Sequence, residues 1–271
     1  MSNDDHIKTN SKDHIMLQNS FKRGRIMCRC TEENKYMLFN LPLYRSTNRV
    51  LIPTQSFRIL VNDRIYEHIK EKKRFGFVTD FTEDPALAVV VDHVFKSHSK
   101  VGTIAHIESV ERKRNHMNAL TIKGIERFLI LNVERMGTGT EPCDIAMCSY
   151  FQDNDEFDEH SIDSKEREVC SILDEMREIL ATEDVYLPQT VEEYMPPMQG
   201  QGQGQRQEGE KESTDMTNRQ RQELFSFALA EMLASLGMAE RLALQQSQGT
   251  EARLDWLINY ILKPHLLKLK K

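Results

Sequence analysis

The chain has 271 residues, of which 39 % are hydrophobic and 29 % charged, with a formal net charge of −6. That length suits one large domain or two modest ones, and the composition is that of a globular protein with some unordered segments. No apolar run approaches the roughly 20 residues that cross a bilayer, and the acidic start Met1-Ser-Asn-Asp-Asp-His6 is unlike a transit or secretion signal, so no membrane partner and a cytoplasmic or nuclear location are expected.

Cys28, Cys30, Cys143, Cys148 and Cys170 are an odd number for a secreted disulfide framework and are expected to remain thiols. The charge is unevenly spread: net +1 over residues 1–34, +4 over residues 35–150 and −11 over residues 151–271. Two solvated surfaces that attract one another account for this asymmetry. A basic nucleic-acid surface is the sharper alternative.

In chain order, residues 1–34 are polar and aperiodic and read as a disordered arm. They include a small basic cluster at residues 21–30, whose Cys28 and Cys30 are too close for an ordinary zinc hairpin. Residues 36–44 and 49–53 read as two strands ending near Pro42 and Pro53, with a polar turn at residues 45–48. Phe57, Leu60, Val61, Ile65 and Ile69 then recur at helical spacing, and Asn62 or Asp63 can cap a helix running to about Lys73.

Residues 74–78 read as a strand, 80–85 as a turn, and 86–91 as an apolar, β-branched strand or buried segment. Residues 100–110 alternate strongly: Thr103, Ala105 and Ile107 face one way, and Ile104, His106 and Glu108 the other. After a charged turn, residues 117–122 pair back, Gly124 punctuates, and residues 125–133 and 142–150 complete the group, followed by an acidic turn at residues 153–159.

From Ser164 the period changes. Val169, Ile172, Leu173, Met176, Ile179 and Leu180 share a helical face that ends near Thr182, with Ser164 as N-cap. Residues 186–213, with three prolines and a Gln-Gly run, read as a flexible loop. Thr217 or Asn218 then caps a helix carrying Leu224, Phe225, Phe227, Ala228, Leu229, Met232 and Leu233. A short helix follows at residues 239–246. A last one, capped by Ser247 or Thr250, buries Leu254, Trp256, Leu257, Ile258, Ile261 and Leu262, and Pro264 kinks or stops it.

Candidate chemistry is sparse. No Gly-x-x-x-x-Gly-Lys-Ser/Thr cradles phosphate. His93, His98, His106 and His116 read as surface residues and not as a metal site. Cys143 and Cys148 fall on opposite faces of one strand with no fixed base nearby. Glu166, Glu168, Asp174 and Glu175 read as the solvated face of a helix.

Two blocks resemble the N-terminal, substrate-binding (LON) domain of Lon proteases. The first is Leu41-Pro42-Leu43-Tyr44, Val50-Leu51-Ile52-Pro53, Phe57-Arg58-Ile59-Leu60, Arg64 and Tyr66, against the family's Leu-Pro-Leu-Phe, Val-Leu-Phe-Pro-Gly and Leu-Arg-Ile-Phe-Glu-Pro-Arg-Tyr. The second is Gly102, Thr103, Ala105 and Ile107, then Gly124, Arg127, Phe128 and Ile130, against Gly-Thr-x-Ala-x-Ile and Gly-x-x-Arg-Phe-x-Ile. The chain departs at Thr54, where the family favours glycine, and at Val61 and Asn62, where it favours Glu-Pro. The resemblance covers residues 36–262.

The resemblance implies an α+β fold: a PUA-like twisted β-barrel of about six strands with one helix over residues 35–160, then a helical subdomain over residues 161–271. It implies structural roles for Leu41, Pro42, Leu43, Pro53, Phe57, Arg58, Tyr66, Gly102, Gly124, Arg127 and Phe128, with Arg58 and Arg127 each extending over the core to pair with a carboxylate or carbonyl. Thr54, Val61 and Asn62 mark an expected client or partner surface. The implied function is non-catalytic recognition of polypeptide clients, or an adaptor role in protein turnover beside a Lon-type protease or, as in cereblon-like proteins, a ubiquitin ligase. No cofactor is implied. The ATPase and Ser-Lys protease modules of a full Lon protease are expected to be missing, leaving a free-standing LON domain. RNA binding is the alternative, because PUA-like barrels include RNA readers, but no basic-aromatic interleaving supports it. A hydrolase remnant with its own activity is the other rival.

Overall fold

The computed structural model describes residues 37–80, 100–113, 116–136, 143–153, 159–180, 188–197, 216–232 and 236–270. The expected arm at residues 1–34, the segment at 86–91 and most of the Gln-Gly loop lie outside them. The order is β1 (Leu38–Ser46), β2 (Ser56–Asn62), α1 (Asp63–Ile69), β3 (Arg74–Thr79), β4 (Val101–Arg112), β5 (Met117–Met136) and β6 (Cys143–Tyr150). The helices α2 (Glu159–Leu180), α3 (Gln189–Tyr194), α4 (Asn218–Met232), α5 (Met238–Gln246), α6 (Thr250–Leu257) and α7 (Lys263–Leu269) follow, the last two joined by a π-helical turn at Ile258–Leu262.

The sheet runs β2-β5-β4-β3-β1-β6, and β5 also pairs with β6. Only β1 and β3 are parallel. One edge of β5 carries β4, and the other carries β2 along residues 117–123 and β6 along residues 128–136. That length lets β5 close a barrel of β1, β3, β4, β5 and β6, with β2 as a flap. Two strands expected on either side of Gly124 are thus one continuous strand, bent by register shifts at Ile104/Ala105 and Ile130/Asn132.

Each of the five barrel strands sends residues to one apolar interior: Leu41 and Leu43, Val78, Ile104, Phe128 and Ile130, and Ala146 and Cys148. The Phe128 ring fills it because the facing inward positions are glycines. A Cβ on Gly102 would lie 2.5 Å from the ring's Cζ and 2.8 Å from the Phe77 carbonyl oxygen. A second core lies outside the barrel, where β2 and α1 bring Ile59, Val61 and Ile69 onto Phe75, Phe77, Ala105, Leu120 and Ile122. The third belongs to the helices and centres on Val169, Leu173, Phe225, Phe227, Leu229, Leu254 and Leu257.

Residues 50–53 are buried but form no strand. They alternate between two cores: Leu51 packs on the outer barrel core, and Val50 and Ile52 pack on the helical core. Side chains replace the missing ladder partners. Thr79 Oγ1 donates to the Arg49 carbonyl (3.1 Å), and Thr103 Oγ1 and Gln245 Nε2 donate to the Leu51 carbonyl (2.6 and 2.8 Å). Gly124 is required where this segment crosses β5, since a Cβ there would collide with the Ile52 carbonyl oxygen.

Several expected boundaries move. Phe57, Leu60 and Val61 lie on β2, so the helix keeps only its second half. Asn62 caps it, its side-chain oxygen accepting from the Ile65 N–H at 2.9 Å. Ser164 lies inside α2 and is not its cap. The stretch expected as a flexible loop contains α3, anchored by buried Val191 and Tyr194. Thr217 and Gln220 form a reciprocal capping box for α4. Pro264 neither stops nor breaks the last helix. It lacks an N–H, and the π-helical turn before it, in which the Lys263 N–H reaches back to Ile258, carries the helix past the gap.

Candidate functional site

The barrel meets the helices along a buried cluster of charges. Phe128 points into the barrel, so its neighbour Arg127 points out, and there α4, α5 and α6 cover it completely. Its Nη2 donates to Asp153 Oδ1 and to Glu223 Oε1, both at 2.7 Å, and its Nη1 to the carbonyls of Gln245 (3.0 Å) and Ser247 (2.5 Å). Arg253 of α6 grips the same aspartate with two parallel bonds, 2.8 Å to Oδ1 and 2.6 Å to Oδ2. Its Nε donates to Ser226 Oγ at 2.9 Å. Both guanidinium groups lie over Phe227, at 5.1 Å for Arg127 and 4.5 Å for Arg253.

Two cations meet two anions here, which keeps burial of the charges tolerable. Burial by itself would raise the Asp153 pKa. The Arg253 charge and hydrogen bonds outweigh it, Arg127 and Thr250 add to them, and the carboxyl is held well below the usual carboxylate range. For Arg127, burial works against the charged form, but Glu223 and Asp153 overcome it and raise the pKa. Arg127, Arg253, Asp153 and Glu223 are thus engaged in charge-assisted bonds that clasp the helices to the barrel.

A second set of charges ties the helices together. Arg221 of α4 binds Glu166 of α2 through two bonds of 2.9 and 2.6 Å and donates to the Tyr194 carbonyl of α3 at 2.8 Å. The solvated face expected for α2 is therefore corrected at Glu166, which is 1 % exposed. Thr250 is likewise no helix cap. It is the first residue of α6, and its hydroxyl bonds Asp153.

The expected structural residues separate into groups. Leu41, Leu43 and Phe128 line the barrel, Phe57 and Tyr66 pack on the outer core, Gly102 and Gly124 allow close approaches, and Pro42 and Pro53 are buried. Arg58 pairs with a carboxylate as expected, that of Glu111, but both residues are exposed and the arginine is no buried anchor. The expected recognition surface also needs correction. Thr54 is 2 % exposed and Val61 1 %, while Asn62 is committed to capping α1. Thr54 adopts φ 73°, the left-handed region glycine prefers.

Burial pushes the Cys148 thiol up to about 12 and the Cys170 thiol to about 11, far from thiolate. His106 is half-buried on β4 and its pKa is lowered, first by burial and then by Arg74. His116 is exposed beside Asp63. His93 and His98 lie outside the described residues.

An apolar surface exists elsewhere. On the outer side of β1, β6 and β5, Leu38 is 49 % exposed, Leu131 42 % and Met147 38 %, with Met37 beside Leu38. The register places Asn40 and Asn132 on either side of Met147, and the β5 register shift turns Leu131 outward. Sequence reading missed this face because its residues scatter over three strands whose pairing is non-local.

A family model described as the ATP-dependent protease La (LON) substrate-binding domain matches residues 40–263. The chain belongs to this family. No curated protein matches the chain. Among solved structures, the LON domain here is similar to a Lon N-terminal domain protein from Xanthomonas campestris, with 15 % identity, 82 % of this chain and 98 % of that one covered, and a TM-score of 0.44. It is also similar to the N-terminal domain of Mycobacterium avium complex Lon protease, with 14 % identity, 82 % and 97 % coverage, and a TM-score of 0.49. The matched span runs from β1 into α7, so it includes both the barrel and the helices that the clasp joins. Among the described residues, no helix of this LON domain is long and apolar enough to cross a membrane.

Proposed function

We propose that this LON domain is a non-catalytic recognition module that binds polypeptide clients, or acts as an adaptor in protein turnover, in the cytoplasm or nucleus. The observation that carries this reading is the match of residues 40–263 to a family described as a substrate-binding domain. The open face of β1, β6 and β5 supports it. Leu38, Leu131 and Met147 offer apolar contact, and methionine adapts to varied partners. The buried charges support it as well, because they are engaged in holding barrel to helices.

Fluorescence anisotropy with a permanently unfolded probe, reduced and carboxyamidomethylated lactalbumin, tests the proposal. Saturable binding is expected, with none to the folded form of the same probe. Replacing Leu38 and Met147 together by serine should weaken binding at least tenfold while the melting temperature stays put. Absence of saturable binding, or cleavage of the probe by the pure protein, overturns the reading.

A further inference from the structure

Among the described strands, β1, β3, β4, β5 and β6 each have a neighbour on both sides, whereas β2 pairs with β5 alone. In an antiparallel pair only alternate residues exchange bonds with the neighbour. The Asp63 N–H donates to the His116 carbonyl (3.0 Å) and the Gly124 N–H to the Gln55 carbonyl (2.8 Å). Phe57, Ile59 and Val61 continue that set toward β5, so the main chain of Arg58 and Leu60 turns to the open side. There Arg49 Nη1 donates to the Arg58 carbonyl at 3.0 Å. The Arg58 N–H and both main-chain groups of Leu60 carry no hydrogen bond among the described residues. The two faces beside this edge differ. On one, the Leu60 side chain is 57 % exposed. On the other, the exposed Arg49 guanidinium lies 5.2 Å from the centre of the Phe57 ring and meets no carboxylate among the described residues.

We propose that the open edge of β2 takes up an extended client segment as an added strand, one in which β-branched apolar residues alternate with acidic ones. This rests on the reading of the protein as a polypeptide-recognition module and adds to it a second surface and a bound conformation. An edge that presents free N–H and C=O groups is matched by the main chain of another strand. Side chains of the added strand alternate between its two faces. One set meets Leu60, which calls for apolar residues. The other meets Arg49, whose planar guanidinium suits a carboxylate. Charge complementarity thus makes the added strand acidic on one face only.

The test uses the full chain and the fluorescein-labelled octapeptide (Val-Glu)4, read by anisotropy. Two further forms carry N-methyl groups, one on every valine and the other on every glutamate. Residues directly opposite Leu60 share its face, so the valine N–H groups meet the edge if the strand adds antiparallel and the glutamate N–H groups if it adds parallel. One methylated form should therefore lose about tenfold in affinity, the worth of the lost main-chain bonds, while the other keeps the parent affinity. The peptide (Val-Gln)4 should bind several-fold more weakly than the parent, as an exposed ion pair allows, and Arg49→Gln should erase that difference with the melting temperature unchanged. Leu60→Pro removes the central donor of the edge and none of the bonds to β5, and should weaken the parent peptide about fivefold. Equal affinity of the parent and both methylated forms, a glutamate preference that survives Arg49→Gln, or a dimer in light scattering that Leu60→Pro dissociates overturns the proposal. If the unfolded lactalbumin probe still binds while the methylated forms match the parent, only this edge falls. If lactalbumin binding is absent too, the recognition reading falls with it.

Discussion

The barrel interior and the seam beneath the helices are equally buried, yet they are built from opposite chemistry. Inside the barrel, Phe128 packs against Gly102 and Gly76 among aliphatic side chains. One residue earlier, Arg127 anchors a seam of four charges. Apolar packing is non-directional and tolerates modest repacking, provided volume is conserved. A buried ion cluster is directional, and removing one member strands the others. The barrel thus derives its stability from volume, whereas the joint between barrel and helices depends on geometry.

The sharpest test of that contrast is Asp153→Ala. It takes from Arg253 the carboxylate it grips and leaves Arg127 with Glu223 as its carboxylate partner in a dry environment, and urea unfolding should report a loss of about 3–5 kcal/mol. If the loss were under about 1 kcal/mol, the seam would be ornamental and the contrast would fail. Gly102→Ala probes the barrel by overpacking against Phe128 and should cost about 1–3 kcal/mol. A companion Phe128→Leu change, which relieves the crowding, should return part of that loss, whereas no partner change of this kind can rescue Asp153→Ala.

Acid should separate the two regions as well. The folded-state pKa of Asp153 lies below its unfolded value, so its contribution is present above the unfolded value of about 4 and is lost as pH falls through the folded value. Stability of the native chain should therefore fall on acidification from about pH 4 downward, and Asp153→Asn should show a shallower acid limb in pH-dependent urea midpoints. Gly102→Ala should keep the native slope.

Smaller effects bound the comparison from outside. Asn62→Ala removes the α1 cap and should cost about 1 kcal/mol by thermal melting. Arg58→Ala breaks only an exposed ion pair and should cost less than about 1 kcal/mol, vanishing at high salt. A larger, salt-insensitive loss would place Arg58 with Arg127 as a buried anchor.

Much of the barrel was legible in the chain. Strand alternation around Ile104 is a local property, because successive side chains must point to opposite faces, whereas Gly102 and Gly124 stood out only as family-matching positions, and the structure adds that they lie against the Phe128 ring and the Ile52 carbonyl. Residues 49–53 misled because an alternating run looks like a strand whether its polar backbone is bonded by a neighbouring strand or by Thr79, Thr103 and Gln245. Phe57, Leu60 and Val61 misled for the complementary reason: a few apolar residues fit helical and extended spacing alike.

From sequence alone, periodicity therefore determined the alternation of β4 and the change from strands to helices, and the two motif blocks carried the family resemblance. Tertiary structure alone decided the fate of the charges. Arg58 and Arg127 sit in similar local patterns, but β2 leaves the first in water and α4, α5 and α6 bury the second. Glu166 sits on a helix like its acidic neighbours, but Arg221, 55 residues away, makes it a buried tie. Thr54 and Val61 departed from the family pattern, yet neither is presented at the surface. Burial of a side chain depends on which distant segment covers it, and the local pattern carries no record of that cover.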